Sequence, residues 1–116
     1  RPWPTDLVFD REARALMIAF DDGEMFEIPF ELLRVESPSA EVKGHGPGQE
    51  TLVWGKRHVR ISKLDPVGTY AVRIIFDDGH STGLYTWSYL EKLGREQAAI
   101  WAAYLDKLSA EGRSRG

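Results

Sequence analysis

The sequence contains no cysteine. That excludes disulfides, thiol catalysis, cysteine-held zinc and iron–sulfur ligation by this chain. Long apolar runs are also missing. The longest, residues 15–20, is far short of the ~20 residues of a membrane-spanning helix. The opening Arg1-Pro2-Trp3-Pro4 has no apolar stretch behind it, so it is not a signal peptide. The expectation is a cytoplasmic protein with no membrane partner. Positive charge is not in excess: 15 Lys and Arg stand against 18 Asp and Glu, a net charge of -3. Nucleic acid is therefore not an expected partner. There is no HExxH motif, no His-x-Asp/Glu pair, no GxSxG and no P-loop. The common signatures of zinc proteases, iron oxygenases, serine hydrolases and nucleotide hydrolases are thus absent.

What remains describes one globular domain. The 116 residues are 42% hydrophobic and 28% charged, enough for a single core without staples. A core over about residues 5–108 is expected, with a basic tail at 112–116 that frays. The strongest internal signal is a repeat. Residues 15–23 read Ala-Leu-Met-Ile-Ala-Phe-Asp-Asp-Gly, and residues 71–79 read Ala-Val-Arg-Ile-Ile-Phe-Asp-Asp-Gly. Runs rich in Ile, Phe and Val suit buried strands. Asp-Asp-Gly suits a tight turn, with glycine at positive φ. Strands then follow at 25–28 and 81–84, and an earlier one at 7–9. Pro29 ends a strand and opens a short helix over 30–35. Strands are expected at 51–54 and 59–64, with turns at 55–57 and 65–68. Thr86 caps a helix over 87–93 that Gly94 ends, and a second helix runs over 95–110. Ile100, Trp101, Tyr104, Leu105 and Leu108 share one face of it. The fold class is α+β: a mostly antiparallel sheet built from two similar strand–turn–strand–helix units, with C-terminal helices packed on one face.

Candidate sites are few. Residues 37–49 form an irregular loop containing Ser37, Ser39, Gly44, His45, Gly46, Pro47, Gly48 and Gln49. Loops of this kind carry contact surfaces on rigid scaffolds, and as often are only connections. Tyr85 and Trp87 are candidate surface aromatics, since aromatics enrich interface hot spots; the plainer reading puts them in the core. His80 follows the second Asp-Asp-Gly turn, near Asp77 and Asp78. A metal or acid–base site there would use His80 first, with Asp78 and His45 as weaker partners. The plainer reading makes those aspartates turn caps. The stretch Lys56-Arg57-His58-Val59-Arg60 is locally basic and reads as a solvated strand face.

The phrase 33–42, Leu-Arg-Val-Glu-Ser-Pro-Ser-Ala-Glu-Val, and the following Gly44-His45-Gly46-Pro47-Gly48-Gln49 resemble a bacterial family of unknown function, DUF971. So do Pro66-Val67-Gly68-x-Tyr70-Ala71 and Phe76-x-Asp78-Gly79-His80-x-Thr82-Gly83-x-Tyr85-x-Trp87-x-Tyr89-Leu90. That family is similar to the N-terminal domain of gamma-butyrobetaine hydroxylase and trimethyllysine hydroxylase. There the domain holds a structural zinc through Cys-Pro-Cys-x-x-Cys and a distant His. The resemblance places the three cysteines on Ser37, Ser39 and Val42, and the histidine on His80. Only His80 survives, so zinc is not expected and the chain is read as without a cofactor. The oxygenase barrel of the hydroxylases has no counterpart here, so hydroxylase activity does not carry over. Related domains fused to iron–sulfur carriers make an accessory role in cluster assembly, or metal binding through His80, the second reading. The first is a non-catalytic interaction domain that meets a protein partner, or a second copy of itself, through the loop and nearby aromatics. A small enzyme using Asp78 and His80 is the third.

Overall fold

The computed structural model describes residues 2–46 and 48–116. The element order is β1 (Pro4–Asp10), β2 (Ala15–Phe20), β3 (Met25–Pro29), α1 (Phe30–Val35), α2 (Ala40–Lys43), β4 (Ile61–Val67), β5 (Ala71–Phe76), β6 (Leu84–Thr86), α3 (Trp87–Arg95) and α4 (Gln97–Ala110). Two three-stranded antiparallel sheets form, ordered β1-β2-β3 and β4-β5-β6. The class is α+β, as expected. Among the described residues no helix is long and apolar enough to cross a membrane.

The sequence repeat is a structural repeat. The middle strands β2 and β5 carry the same alternation of buried and half-buried residues. Their turns close alike. Phe20 N–H donates to Glu24 O at 2.8 Å, and Phe76 N–H to His80 O at 2.9 Å. Asp22 accepts from Glu24 N–H at 3.0 Å, and Asp78 from His80 N–H at 3.1 Å. Asp21 and Asp77 each accept from the backbone N–H of the residue just before their unit's first strand, Trp3 and Arg60. The aspartates therefore do the work of Asx turns. Each unit also has a first strand, β1 or β4, paired to its middle strand with one register shift. The two units share one core that includes Leu16, Ile18, Ile28, Ile74, Tyr85 and Leu90.

Several expectations need correction. Residues 51–54 form no strand; Thr51 N–H donates to Val42 O, and Val53 O accepts from the Tyr104 hydroxyl. Their polar groups go to single partners instead of a ladder. Pro66 lies within β4, tolerated because an edge strand can lose one donor. The turn follows at Gly68–Tyr70. Residues 40–43 are a helix, not loop. Leu105 is exposed, and the buried face of α4 is centred on Tyr104 and Leu108.

Gly94 does not end its helix. It lies inside α3, and a Cβ there would sit 2.5 Å from Phe26 Cγ. Its role is close packing of α3 on β3. Gly94→Ala is expected to destabilise by about 1–2 kcal/mol in denaturant melts, because overpacking outweighs the gain in helix propensity.

The basic tail lies along residues 55–57 in the structure. Ser114 O accepts from Gly55 N–H and Arg115 O from Arg57 N–H, at 3.0 and 2.9 Å. Arg115 also binds Glu31, and Arg113 stacks on Trp54.

Candidate functional site

The end of α1, the start of α2 and the second Asp-Asp-Gly turn meet at His80. Ser37 follows α1, and Ser39 has the extended backbone of a helix N-cap before α2. Its side chain makes no cap bond because its hydroxyl turns to the imidazole. Ser37 Oγ lies 2.8 Å from His80 Nε2, Ser39 Oγ 3.3 Å from it, and the two hydroxyls 3.3 Å from each other. On the other side, His80 Nδ1 is 3.5 Å from Glu41 Oε2. A proton on Nδ1, on the side of Glu41, would leave Nε2 to accept from the serine hydroxyls. Burial, then the Arg34 charge, lower the His80 pKa. Glu41 is lowered, chiefly by the Thr82 hydroxyl that donates to it at 2.8 Å.

Glu41, His80 and Ser37 follow the order of a carboxylate–imidazole–hydroxyl triad. The site is nevertheless closed. Ser37 is fully buried at 0% exposure, and His80 is 6% exposed. Gly83 lies so near that a Cβ on it would be 2.5 Å from Ser37 Oγ. A hydroxyl sealed this way cannot meet a substrate carbonyl.

Asp78 lies beside this cluster with its carboxylate engaged. Arg34 Nε donates to Oδ2 at 2.8 Å, and Lys56 Nζ lies 2.7 Å from the same oxygen. Burial alone would raise its pKa; Lys56, the His80 N–H and Arg34 outweigh burial and bring it to about 2. Among the described residues, Arg34 Nη1 is buried without a partner. Lys56, expected on a solvated face, is thus an anchor for the turn.

The remaining candidates separate. His45 is exposed on the loop, and Gly44, Gly46, Gly48 and Gln49 form its turns, while Pro47 falls outside the described residues. Gly44 has φ of 71°, and a Cβ there would meet Gln49 O at 2.3 Å, so glycine is required for this close approach. Tyr85 is not a surface aromatic. It is fully buried, donates to Leu33 O, and burial raises its pKa. Its place on β6 points it into the core between α1 and α3. Trp87 is half-buried, with its indole N–H on Thr69 O at 2.8 Å. Beside it stand two aromatics that sequence reading missed: Trp3 at 52% exposure and Tyr70 at 53%. Together they line a small apolar cleft of about 230 Å³. No local pattern links positions 3, 70 and 87; only the fold does.

Residues 7–91 match the family described as gamma-butyrobetaine hydroxylase-like, N-terminal. The chain belongs to this family. An NMR solution structure of a similar protein has 49% identity and a TM-score of 0.86, covering 99% of this chain and 86% of its own. A second NMR structure has 38% identity and a TM-score of 0.84, covering 98% and 90%. A crystal structure from Acidithiobacillus ferrooxidans, of a DUF971 protein of unknown function, has 37% identity and a TM-score of 0.67, covering 78% and 91%. Comparison with curated proteins finds no match.

The zinc that the hydroxylase resemblance implies does not fit this member's donor set. Two neutral hydroxyls share one imidazole nitrogen, and Val42 is a buried isopropyl group. Structural zinc takes four thiolate or imidazole ligands. Among the described residues, the trio of carboxylates near enough to share an ion is Asp22, Glu24 and Glu91, away from His80. Arg95 pairs with both glutamates.

Proposed function

We propose that this gamma-butyrobetaine hydroxylase-like domain is a non-catalytic interaction module. Its contact face for a protein partner is the aromatic cleft of Trp3, Tyr70 and Trp87, with the Gly-rich loop as a second contact. The observation that carries this reading is the exposure of Trp3 and Tyr70 side by side on a shallow apolar cleft. Large aromatics left in water cost free energy that a partner recovers, and they dominate interface energetics. The groups that would do chemistry support the same reading, since Ser37, His80 and Asp78 all spend their polar atoms on one another or on neighbours.

The test is affinity purification from the native host with the wild type and with Trp3→Ser/Tyr70→Ser. Both residues are exposed, so the variant should melt as the wild type does. The expected result is loss of the specific partner from the variant. An identical partner set would sink the reading. Sedimentation of both proteins shows whether the partner is a second copy of the chain.

A further inference from the structure

Glu31 is a buried acid in a helix whose other residues, Arg34 apart, are apolar. It is 6% exposed, and Phe30, Leu32, Leu33 and Val35 around it belong to the core. A carboxylate so placed is costly unless fully paired. Its partner is Arg115, distant in sequence. Arg115 Nε donates to Oε2 at 3.0 Å, and Nη2 to Oε1 at 2.7 Å, a two-pronged fork. The guanidinium carbon also lies 5.0 Å from the centre of the Trp101 ring. A carboxylate in the plane and an indole on the face are the two elements that select guanidinium over ammonium.

Two further observations bear on this seat. First, Arg115 leaves it partly open. A cleft of about 640 Å³ adjoins it, lined also by Pro29, Gly94 and Gln97. Second, the strap that delivers Arg115 lies on the surface. Residues 113, 114 and 116 are exposed, and the strap is tied to residues 54–57 by two backbone hydrogen bonds, by Arg57 Nε on Gly116 O and by Arg113 over Trp54. Exposed segments of this kind open at lower cost than the core.

We propose that the Glu31–Trp101 cleft is a guanidinium-recognition site, filled by Arg115 of the same chain. It receives an arginine side chain from an extended partner segment when the 113–116 strap lifts. The strap acts as a tethered competitor, since a linked ligand has an effective concentration in the millimolar range. The proposal stands apart from the aromatic cleft and does not depend on it.

The test titrates the full chain with N-acetyl-arginine amide, following the Trp101 indole N–H by NMR. Arg115→Ala is expected to bind saturably, with Kd on the order of millimolar. The wild type should bind roughly two-fold more weakly, because tethered Arg115 at a millimolar effective concentration competes with a ligand of millimolar Kd. N-acetyl-lysine amide should give no saturable response, and Arg115→Ala/Glu31→Gln should lose binding. If Arg115→Ala does not fold, Arg115→Gln keeps the stem and frees the seat, with the same expected binding. Equal responses from wild type and variant, or no saturation in the folded variant, would overturn the proposal.

Discussion

A chain carrying Ser37→Cys, Ser39→Cys and Val42→Cys is expected to take up one equivalent of zinc, and the unmodified chain none. The fold already assembles much of a tetrahedral site. Ser37 Oγ, Ser39 Oγ and His80 Nε2 are separated by 2.8, 3.3 and 3.3 Å. Ligand atoms ~2.0–2.3 Å from a zinc ion lie only slightly farther apart than this. His80 presents Nε2 to the cluster while Nδ1 faces Glu41, and a carboxylate on the far ring nitrogen orients a ligating imidazole. What is missing is thiolate chemistry, which the triple variant supplies. Cobalt uptake gives the readout, through the intense charge-transfer bands of thiolate ligands. Structural zinc sites bind with apparent free energies of ~10–16 kcal/mol, so a large rise in melting temperature with added zinc should accompany uptake. Ser37→Cys/Ser39→Cys without the third change should bind much more weakly. Failure of the triple variant to bind would mean that these positions are not arranged as the resemblance implies.

Asp78→Ala is expected to cost about 2–3 kcal/mol at neutral pH. Its carboxylate joins two cations from separate segments, Arg34 of α1 and Lys56. Removing it strands Arg34, whose side chain is 12% exposed and whose Nη1 already lacks a partner. Breaking a fully buried pair costs ~3–5 kcal/mol, and partial solvation of Asp78 reduces that figure. The pH dependence carries a definite sign. Asp78 has a folded-state pKa of about 2, depressed from the ordinary carboxyl value of 3.8. A depressed carboxylate stabilises above its unfolded pKa, and that contribution disappears as pH falls through about 2. Urea melts of wild type and variant should therefore converge between pH 4 and about 2. His80 adds a slope of its own. Its pKa is lowered, so the unfolded chain holds that proton more tightly, and stability declines as pH falls below the ordinary histidine value of about 6.5.

The repeated Asp-Asp-Gly phrase made the two middle strands and their turns legible, because strand composition, turn chemistry and spacing all pointed one way. Pro29 marked the strand–helix junction correctly for the same reason. Legibility failed where tertiary partners decided the outcome. Residues 51–54 have strand composition, yet the Tyr104 hydroxyl takes a carbonyl that a ladder would need. Gly94 has the composition of a stop, yet Phe26 leaves no room for a side chain there. Arg115 looked like part of a solvated tail, since nothing near it in sequence hints at Glu31. At the candidate site, the loop named Ser37 and Ser39, the second Asp-Asp-Gly turn named His80, and the resemblance linked the three. Their closure into one hydrogen-bonded cluster, and the addition of Glu41, came from the structure. Tyr85 went to the core because β6 faces it inward, and Trp3 with Tyr70 replaced it on the surface.

His80 is a neutral, buried link between Glu41 and two serines, at the position where the hydroxylase resemblance implies a zinc ligand. Long-range 1H–15N NMR of the His80 ring measures this directly, across pH and with equimolar zinc. The predicted spectrum shows the Nδ1–H tautomer, a midpoint below about 6.5, and no change on adding zinc. An imidazole that titrates at or above that value, or whose nitrogens shift saturably with zinc, would contradict it.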